Sequence, residues 1–286
     1  MTRVEPVVGR PAAVADLGSE RALLVADVHA GIEVGLQYER GVELDSRAER
    51  RRERLVDLIE HTAADRLVVL GDLAHRIGAP DGAERAELDR LIEAVLDRVP
   101  MTLVEGNHDG GVAEAFADDL DVIPPTGGLL ASDANGENEP SRIAVLHGHT
   151  WPEPALLDAD IVCMGHEHPQ VRLSDAVGGS RTKRAWLRGP LDPAAFLEGS
   201  EGDVPEGGEG DVPGGSEGGP PEAMSGGAVP TRPPELVVFP AFNERSGGTW
   251  VNVEGGSFLA PFLPAALPSA DAYLLDGTRL GDYRRV

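Results

Sequence analysis

The stretch Met101-Thr102-Leu103-Val104-Glu105-Gly106-Asn107-His108-Asp109 carries a structural signal and a chemical one side by side. Met101 to Val104 is a short apolar run that reads as a buried strand. Gly106-Asn107-His108-Asp109 then sits where that strand ends and a loop begins. An amide, an imidazole and a carboxylate in three adjacent loop positions are poor core material. They suit a metal or phosphate site, because functional groups gather on loops held by a rigid sheet.

The same arrangement recurs upstream. Leu67 to Leu70 reads as a buried strand running into Gly71-Asp72, and Arg21 to Ala26 as one running into Asp27-Val28-His29. With a period of two, Asp27 and His29 project to one side of the strand end, the geometry for two ligands on one ion. Residues 12–17 form a further strand candidate. Between the strands lie two helical patterns. The first, 45–61, opens with Ser46 and Glu49 in capping-box spacing and carries Leu55, Val56, Leu58 and Ile59 on one face. Its Arg50-Arg51-Arg52 run, interleaved with Glu, reads as a solvated face. The second, about 82–98, carries Leu88, Leu91, Ile92, Val95 and Leu96 and stops before Pro100. Strand, helix, strand, helix, strand predicts a parallel sheet with right-handed crossovers.

Downstream the elements shorten. Ile143 to Leu146 leads into His147-Gly148-His149, and Ile161 to Met164 into Gly165-His166-Glu167-His168-Pro169. Residues 170–173 and 184–188 read as further strands. From 198 to 234 the chain is almost wholly Gly, Glu, Asp, Pro and Ser, too polar to offset chain entropy by burial, so a disordered insertion is expected there. Leu236 to Phe239 and Tyr273 to Leu275 then look like strands completing the domain begun by residues 1–197. The expectation is one domain, with 235–286 belonging to the same fold.

Composition narrows the class. Hydrophobic content is 41% of 286 residues, and no apolar run approaches the roughly 20 residues that cross a bilayer. Without a signal-peptide pattern at the start, a cytoplasmic protein is expected. Cys163, the single cysteine, lies in an apolar strand candidate and reads as a small buried hydrophobe. The net charge of −24 arises from 49 acidic against 25 basic residues, only one of them lysine. Acid spread over the whole length points to a salt-rich cytoplasm, where screening blunts self-repulsion. A local basic cluster, Arg181, Lys183, Arg184 and Arg188, fits a polyanion site and an ordinary surface strand equally well.

Five strand ends thus carry Asp27/His29, Asp72, Asn107/His108, His147 and His166/His168. Six of the eight histidines lie at these tips; His75 follows the second, and only His61 stands apart. A metal site gives them a reason to collect there. Mixed imidazole, carboxylate and amide donors suit Mn²⁺, Fe²⁺ or Zn²⁺ better than Mg²⁺ or Ca²⁺, and the lack of cysteine argues against structural zinc. Seven ligands exceed what one ion takes, and a carboxylate such as Asp72 can bridge. Two divalent ions roughly 3.5–4 Å apart are expected, Mn²⁺ foremost.

Asp27-x-His29, Gly71-Asp72, Gly106-Asn107-His108-Asp109, His147-Gly148-His149 and Gly165-His166-x-His168 together resemble the five ordered motifs of the calcineurin-like metallophosphoesterases. Val25-Ala26-Asp27-Val28-His29-Ala30-Gly31, Gly71-Asp72-Leu73-Ala74-His75, Pro240-Ala241-Phe242-Asn243 and Leu275-Asp276-Gly277-Thr278 look like the ICC-like archaeal phosphoesterase branch, related to the ligase-associated DNA damage response endonuclease PdeM. The resemblance implies a four-layer α/β/β/α sandwich with metals at the strand ends. It implies one ion on Asp27, His29, Asp72 and His168, and another on Asp72, Asn107, His147 and His166. His108 resembles the family's catalytic histidine, oriented by Asp109, while His149 and His75 are placed to approach substrate. The implied activity is phosphodiester hydrolysis by a metal-bridging hydroxide, with DNA a substrate of that branch. A phosphomonoesterase is the alternative, but the protein-phosphatase branch has an arginine soon after its GD and NHE for NHD; Leu73-Ala74-His75 and Asp109 stand here. A scaffold without catalysis is a further alternative, though such chains usually lack a histidine that His29 or His108 supplies.

Overall fold

In β3 (Arg21–Val25), Leu23 and Val25 point one way and Ala22 and Leu24 the other, yet all four are fully buried. A strand buried on both faces needs a packing layer on each side, and this pattern sets the architecture. The computed structural model describes residues 4–130, 142–175, 178–198, 232–253 and 257–286. The expected insertion therefore lies almost wholly outside the described residues.

The first sheet has the order β1 (Val4–Pro6), β2 (Ala13–Asp16), β3, β4 (Arg66–Val69), β5 (Met101–Val104), β6 (Asp121–Ile123). Strands β3 to β6 are parallel, as the alternation with helices predicts, and β1 and β2 add an antiparallel edge. Helices α1 (Ile32–Arg40), α2 (Ala48–Thr62), α3 (Gly82–Leu96) and the short α4 (Gly110–Ala115) follow β3, β4 and β5. Leu55, Leu58, Ile59, Leu88, Leu91, Ile92 and Val95 join Leu23, Val25, Leu67, Val69, Met101 and Leu103 in the helix-side core.

The second sheet comprises β7 (Gly128–Leu130), β8 (Ile143–Leu146), β9 (Ile161–Met164), β10 (Gln170–Ser174), β11 (Ser180–Pro190), β12 (Glu235–Val238), β13 (Asp271–Leu274) and β14 (Arg279–Asp282). Its order is β14-β13-β11-β12-β9-β8-β7, with β10 paired to β11. Strand β12 runs parallel to β9 in the middle of this sheet. Alternation again divides the residues. Ile143, Val145, Ile161, Cys163 and Val237 face Leu24, Val68 and Leu70 across the inter-sheet core, whereas Ala144, Leu146, Val162, Leu236 and Val238 face outward. There they are covered by α5 (Pro193–Leu197) and by Ala260, Phe262, Leu263 and Leu267 of a turn-rich segment. The fold is the four-layer sandwich, with an outer layer that is only partly helical.

Two local expectations are corrected. The capping box does not form: α2 is capped at Arg47 without a side-chain hydrogen bond, and Ser46 Oγ accepts instead from Ala48 N at 3.2 Å. Arg51 is not solvated but buried, its guanidinium between Glu33 and Glu87. Helices α1, α4 and α5 and strands β1, β6, β7 and β14 are additions to the sequence reading.

Candidate metal centre

Parallel strands β3, β4 and β5 of one sheet and β8 and β9 of the other end at the same side of the molecule. Their carboxyl ends are where an α/β fold offers loops for ligands. Asp27, His29, Asp72, His166 and His168 all have left-handed backbone, with φ of 56°, 46°, 53°, 68° and 45°. For non-glycine residues that conformation is uncommon and costs of order 1 kcal/mol or more each. It persists because neighbouring loops lock one another: Asp27 N donates to Gly71 O (3.1 Å), His29 N to Asp72 O (2.9 Å) and Ala30 N to Leu73 O (2.8 Å). Gly71, at φ +82°, admits no side chain, since a Cβ there would meet His147 Nδ1 at 2.2 Å.

The side chains converge into two groups, Asp27/His29/His168 and Asp72/His147/His166, each with donor atoms within 4.8 Å of one another. In the first, His168 Nε2 lies 3.2 Å from Asp27 Oδ1 and 3.4 Å from His29 Nε2. In the second, His147 Nε2 lies 3.4 Å from Asp72 Oδ1, 3.1 Å from Asn107 Oδ1 and 3.2 Å from His166 Nδ1. Asp72 also reaches toward the first group, its Oδ2 3.7 Å from His29 Nε2. Donor atoms about 2.1 Å from one cation are separated by about 3.0–3.4 Å in octahedral or tetrahedral sets. His147 Nδ1 donates to Leu70 O at 2.8 Å, so its Nε2 offers a bare lone pair toward other acceptors. Asp27 Oδ2 and His29 Nδ1 are buried without any hydrogen-bond partner. Lone pairs aimed together, beside orphaned buried polar atoms, are what a cation site requires. The residues fit a pair of divalent metals.

Electrostatics prepare these donors. Burial, then neighbouring histidines against the pull of Asp27, holds His147 down at about 3 and His166 at about 4. Burial likewise lowers His29. All three are neutral and ready to ligate. His168 differs: burial opposes its charge, but the carboxylate of Asp27, the Gly247 carbonyl and Asp72 together hold it at about 9. Burial would raise Asp27, yet the surrounding histidines bring it to about 2. Asp72 is pushed up by burial and then by Asp27 and Asp109, a repulsion that a cation between them relieves.

His108 is half-buried, with Nε2 3.8 Å from Asp72 Oδ2. Its expected partner is replaced: Nδ1 pairs with the His75 carbonyl oxygen, while Asp109 turns inward. Asp109 accepts from Leu73 N (2.9 Å), Ala74 N (3.2 Å) and Gly106 N (3.0 Å), tying the second motif's loop to the third. Asp109 thus acts on the backbone that carries His108, not on its ring. His75 stacks beside His108 at 5.9 Å and packs edge-on to His29 at 5.3 Å, with both ring nitrogens unpartnered. His149 lies 5.3 Å from His147 and 6.1 Å from His166, between ring centroids.

Several supporting residues escape a reading of motifs alone. Asn243 Nδ2 donates to Val28 O (2.9 Å) and His29 O (3.3 Å), and its backbone N to Asp27 O (3.1 Å), so a segment over two hundred residues away clamps the first motif. Glu167 points away from its histidine neighbours and accepts from Leu259 N, Ala260 N and Thr249 Oγ1. Glu84 Oε1 accepts from His75 N and Arg76 N. The sequence signals were weak: an acid between two histidines, and the Pro240–Asn243 segment. The basic cluster of β11 does not hold together. Arg188 pairs with Glu235 at 2.7 Å, whereas Arg184 donates to Ala241 O at 2.8 Å beside the site.

The sequence profile of the calcineurin-like phosphoesterase family matches residues 20–170, more than half of the 286. The chain belongs to that family. This calcineurin-like phosphoesterase is similar in structure to the nuclease MPE of Pseudomonas putida, with 18% identity over 96% of this chain and 97% of the other and a TM-score of 0.49. It is also similar to Yfce, a phosphoesterase from E. coli, with 23% identity over 54% and 74% and a TM-score of 0.33. No curated protein sequence matches the chain. Among the described residues of this phosphoesterase, no helix is long and apolar enough to cross a membrane.

Proposed function

We propose that this phosphoesterase hydrolyses phosphodiester bonds, using Asp27, His29, Asp72 and His168 to hold one divalent cation and Asp72, Asn107, His147 and His166 to hold a second. One observation carries the reading: donors from five strand ends meet in two groups linked through Asp72. When bound, such a pair supplies Lewis acidity toward phosphoryl oxygens and lowers the pKa of water. The mixed imidazole, carboxylate and amide donors suit Mn²⁺, Fe²⁺ or Zn²⁺, and Mn²⁺ is the ion of this reading.

The chain's own groups do the rest. His108, its Nδ1 engaged by the His75 carbonyl, presents Nε2 at 3.8 Å from Asp72 Oδ2. A protonated Nε2 there donates to a phosphoryl oxygen or to the departing alkoxide. Asp109 holds the loop under it, and His149 and His75 border the space where an ester would lie. Arg76 follows the second motif, but its guanidinium is engaged by Asp81 at 2.6 Å, which leaves it less free to grip a terminal phosphate dianion and favours diesters over monoesters. DNA, by likeness to the branch of the motifs, and a salt-rich cytoplasm, by the −24 charge, complete the reading.

The test is turnover of bis-p-nitrophenyl phosphate with Mn²⁺. Asp72→Ala is expected to abolish it, and His108→Ala to lower kcat about 10²–10⁴-fold. Unchanged turnover in both variants would end the proposal; faster hydrolysis of p-nitrophenyl phosphate would make the enzyme a monoesterase.

A further inference from the structure

Arg47, Arg50 and Arg54 stand three and four residues apart, on one face of α2. All three reach the same carboxylate, Glu244, at 3.0, 3.4 and 2.8 Å. Arg184 approaches from β11, spending its hydrogen bonds on the Ala241 and Phe242 carbonyls, with no carboxylate in ion-pair range among the described residues. Nearby Arg51 and Arg245 are balanced by Glu33 and Glu87. Three guanidinium groups therefore share one carboxylate and a fourth has none in ion-pair range among the described residues, in a chain where acids outnumber bases 49 to 25. A solvated helix face would interleave its charges, as Arg52 and Glu49 do. Here like charges are gathered instead, which is unfavourable without a counter-anion.

The position is as informative as the charge. A cleft of about 380 Å³ is lined by His168 together with Arg184, Glu244 and Arg245. A second hollow, lined by Arg47, Arg50 and Arg54, shares Asn243, Glu244 and Arg245 with it. The connecting loop is tied to the metal centre at both ends: Asn243 holds the His29 carbonyl, and His168 Nδ1 donates to Gly247 O at 2.8 Å. An anion lying along the cleft would pass from the metal donors to the arginines. Guanidinium forks are matched to phosphate geometry.

We propose that Arg47, Arg50, Arg54 and Arg184 form a subsite for a second phosphate of the substrate, adjacent to the ester held at the metal centre. This rests on the phosphodiesterase reading and adds what it lacks, a preference for substrates carrying more than one phosphate. A nucleic-acid strand and a dinucleoside polyphosphate both present that chemistry.

Arg47→Gln/Arg50→Gln alters two solvent-exposed side chains. The expected result is a ratio of kcat/KM on a single-stranded oligonucleotide to that on bis-p-nitrophenyl phosphate that falls at least tenfold, through KM. Glu244→Gln is expected to move the oligonucleotide KM the opposite way. Fluorescence anisotropy of a labelled oligonucleotide on the metal-stripped full chain gives a readout independent of turnover. There the double variant is expected to flatten the log Kd against log salt slope by about 1.4, two contacts at about 0.7 each. The same ratio measured with a dinucleoside polyphosphate identifies which source of phosphate the subsite takes. An unchanged ratio for both substrates, with an unchanged salt slope, would overturn the subsite. Wild type inactive on every diester would overturn the phosphodiesterase reading, and the anisotropy would then decide the subsite alone.

Discussion

His168 is the one ligand-set histidine whose surroundings favour the charged ring. Burial works against the proton, but the Asp27 carboxylate 3.2 Å away outweighs it and holds the group at about 9, against an ordinary 6.5. A cation must displace that proton, because a protonated ring nitrogen has no lone pair to give. Metal uptake near pH 7.5 is therefore expected to release about one proton per chain, measurable by calorimetry in buffers of different ionisation enthalpy. No buffer dependence would show that Asp27 and His168 do not form the ion pair described. The sign for stability follows: a raised folded-state value stabilises the metal-free protein below pH 6.5 and is lost as pH rises through about 9. None of this was legible in the residue string, where His166 and His168 look alike. Their difference comes from how each meets Asp27 after two sheets are packed: His168 pairs with its carboxylate directly, whereas the His166 ring is more distant and crowded by other histidines.

At the scale of elements, the strands were readable because each core strand is apolar on both faces, and five of them end in polar clusters. Strands β5, β8 and β9 fall where the apolar runs of the sequence place them. Helix α1 was missed for a physical reason. Gly35 interrupts its pattern and is required, since a Cβ there would approach His75 Cδ2 to 2.3 Å. The packing of α1, α2 and α3 was hidden too, because Arg51, Glu33 and Glu87 look like surface charges until the helices meet. Arg51 donates to Glu87 Oε1 at 2.6 and 2.8 Å and to Glu33 Oε2 at 2.9 Å, and Glu87 in turn accepts from Gly31 N at 3.0 Å. This network anchors the loop just after His29. Arg51→Ala leaves two buried carboxylates facing each other and is expected to cost about 3–5 kcal/mol in urea unfolding. Arg51→Lys is expected to recover only part of this, lacking the planar fork. A loss below about 1 kcal/mol for Arg51→Ala would mean that the triad adds nothing to stability.

The whole molecule carries −24 with a cationic patch set beside its metal centre. Self-repulsion of that size acts over the Debye length, about 10 Å at 0.1 M salt and about 3 Å at 1 M. Raising KCl across that range is expected to raise Tm, with the gain levelling off as screening completes. A flat or falling Tm would detach the acidic surface from any adaptation to salt. Overall composition revealed this charge but not its arrangement: Arg184 and Arg188 are four residues apart on β11, yet one borders the site and the other pairs with Glu235.

The placement of β12 has a consequence for biosynthesis. Residues 235–238 fill the slot between β9 and β11, and Asn243 just beyond them fastens the first motif. A nascent chain that has emerged only through the glycine-rich stretch already possesses every histidine of the centre, but its second sheet has a vacancy in the middle. Ribosomes must translate past this point before the pocket can close, so a protein truncated between residues 169 and 234 would carry all the ligands and still lack the frame that aligns them.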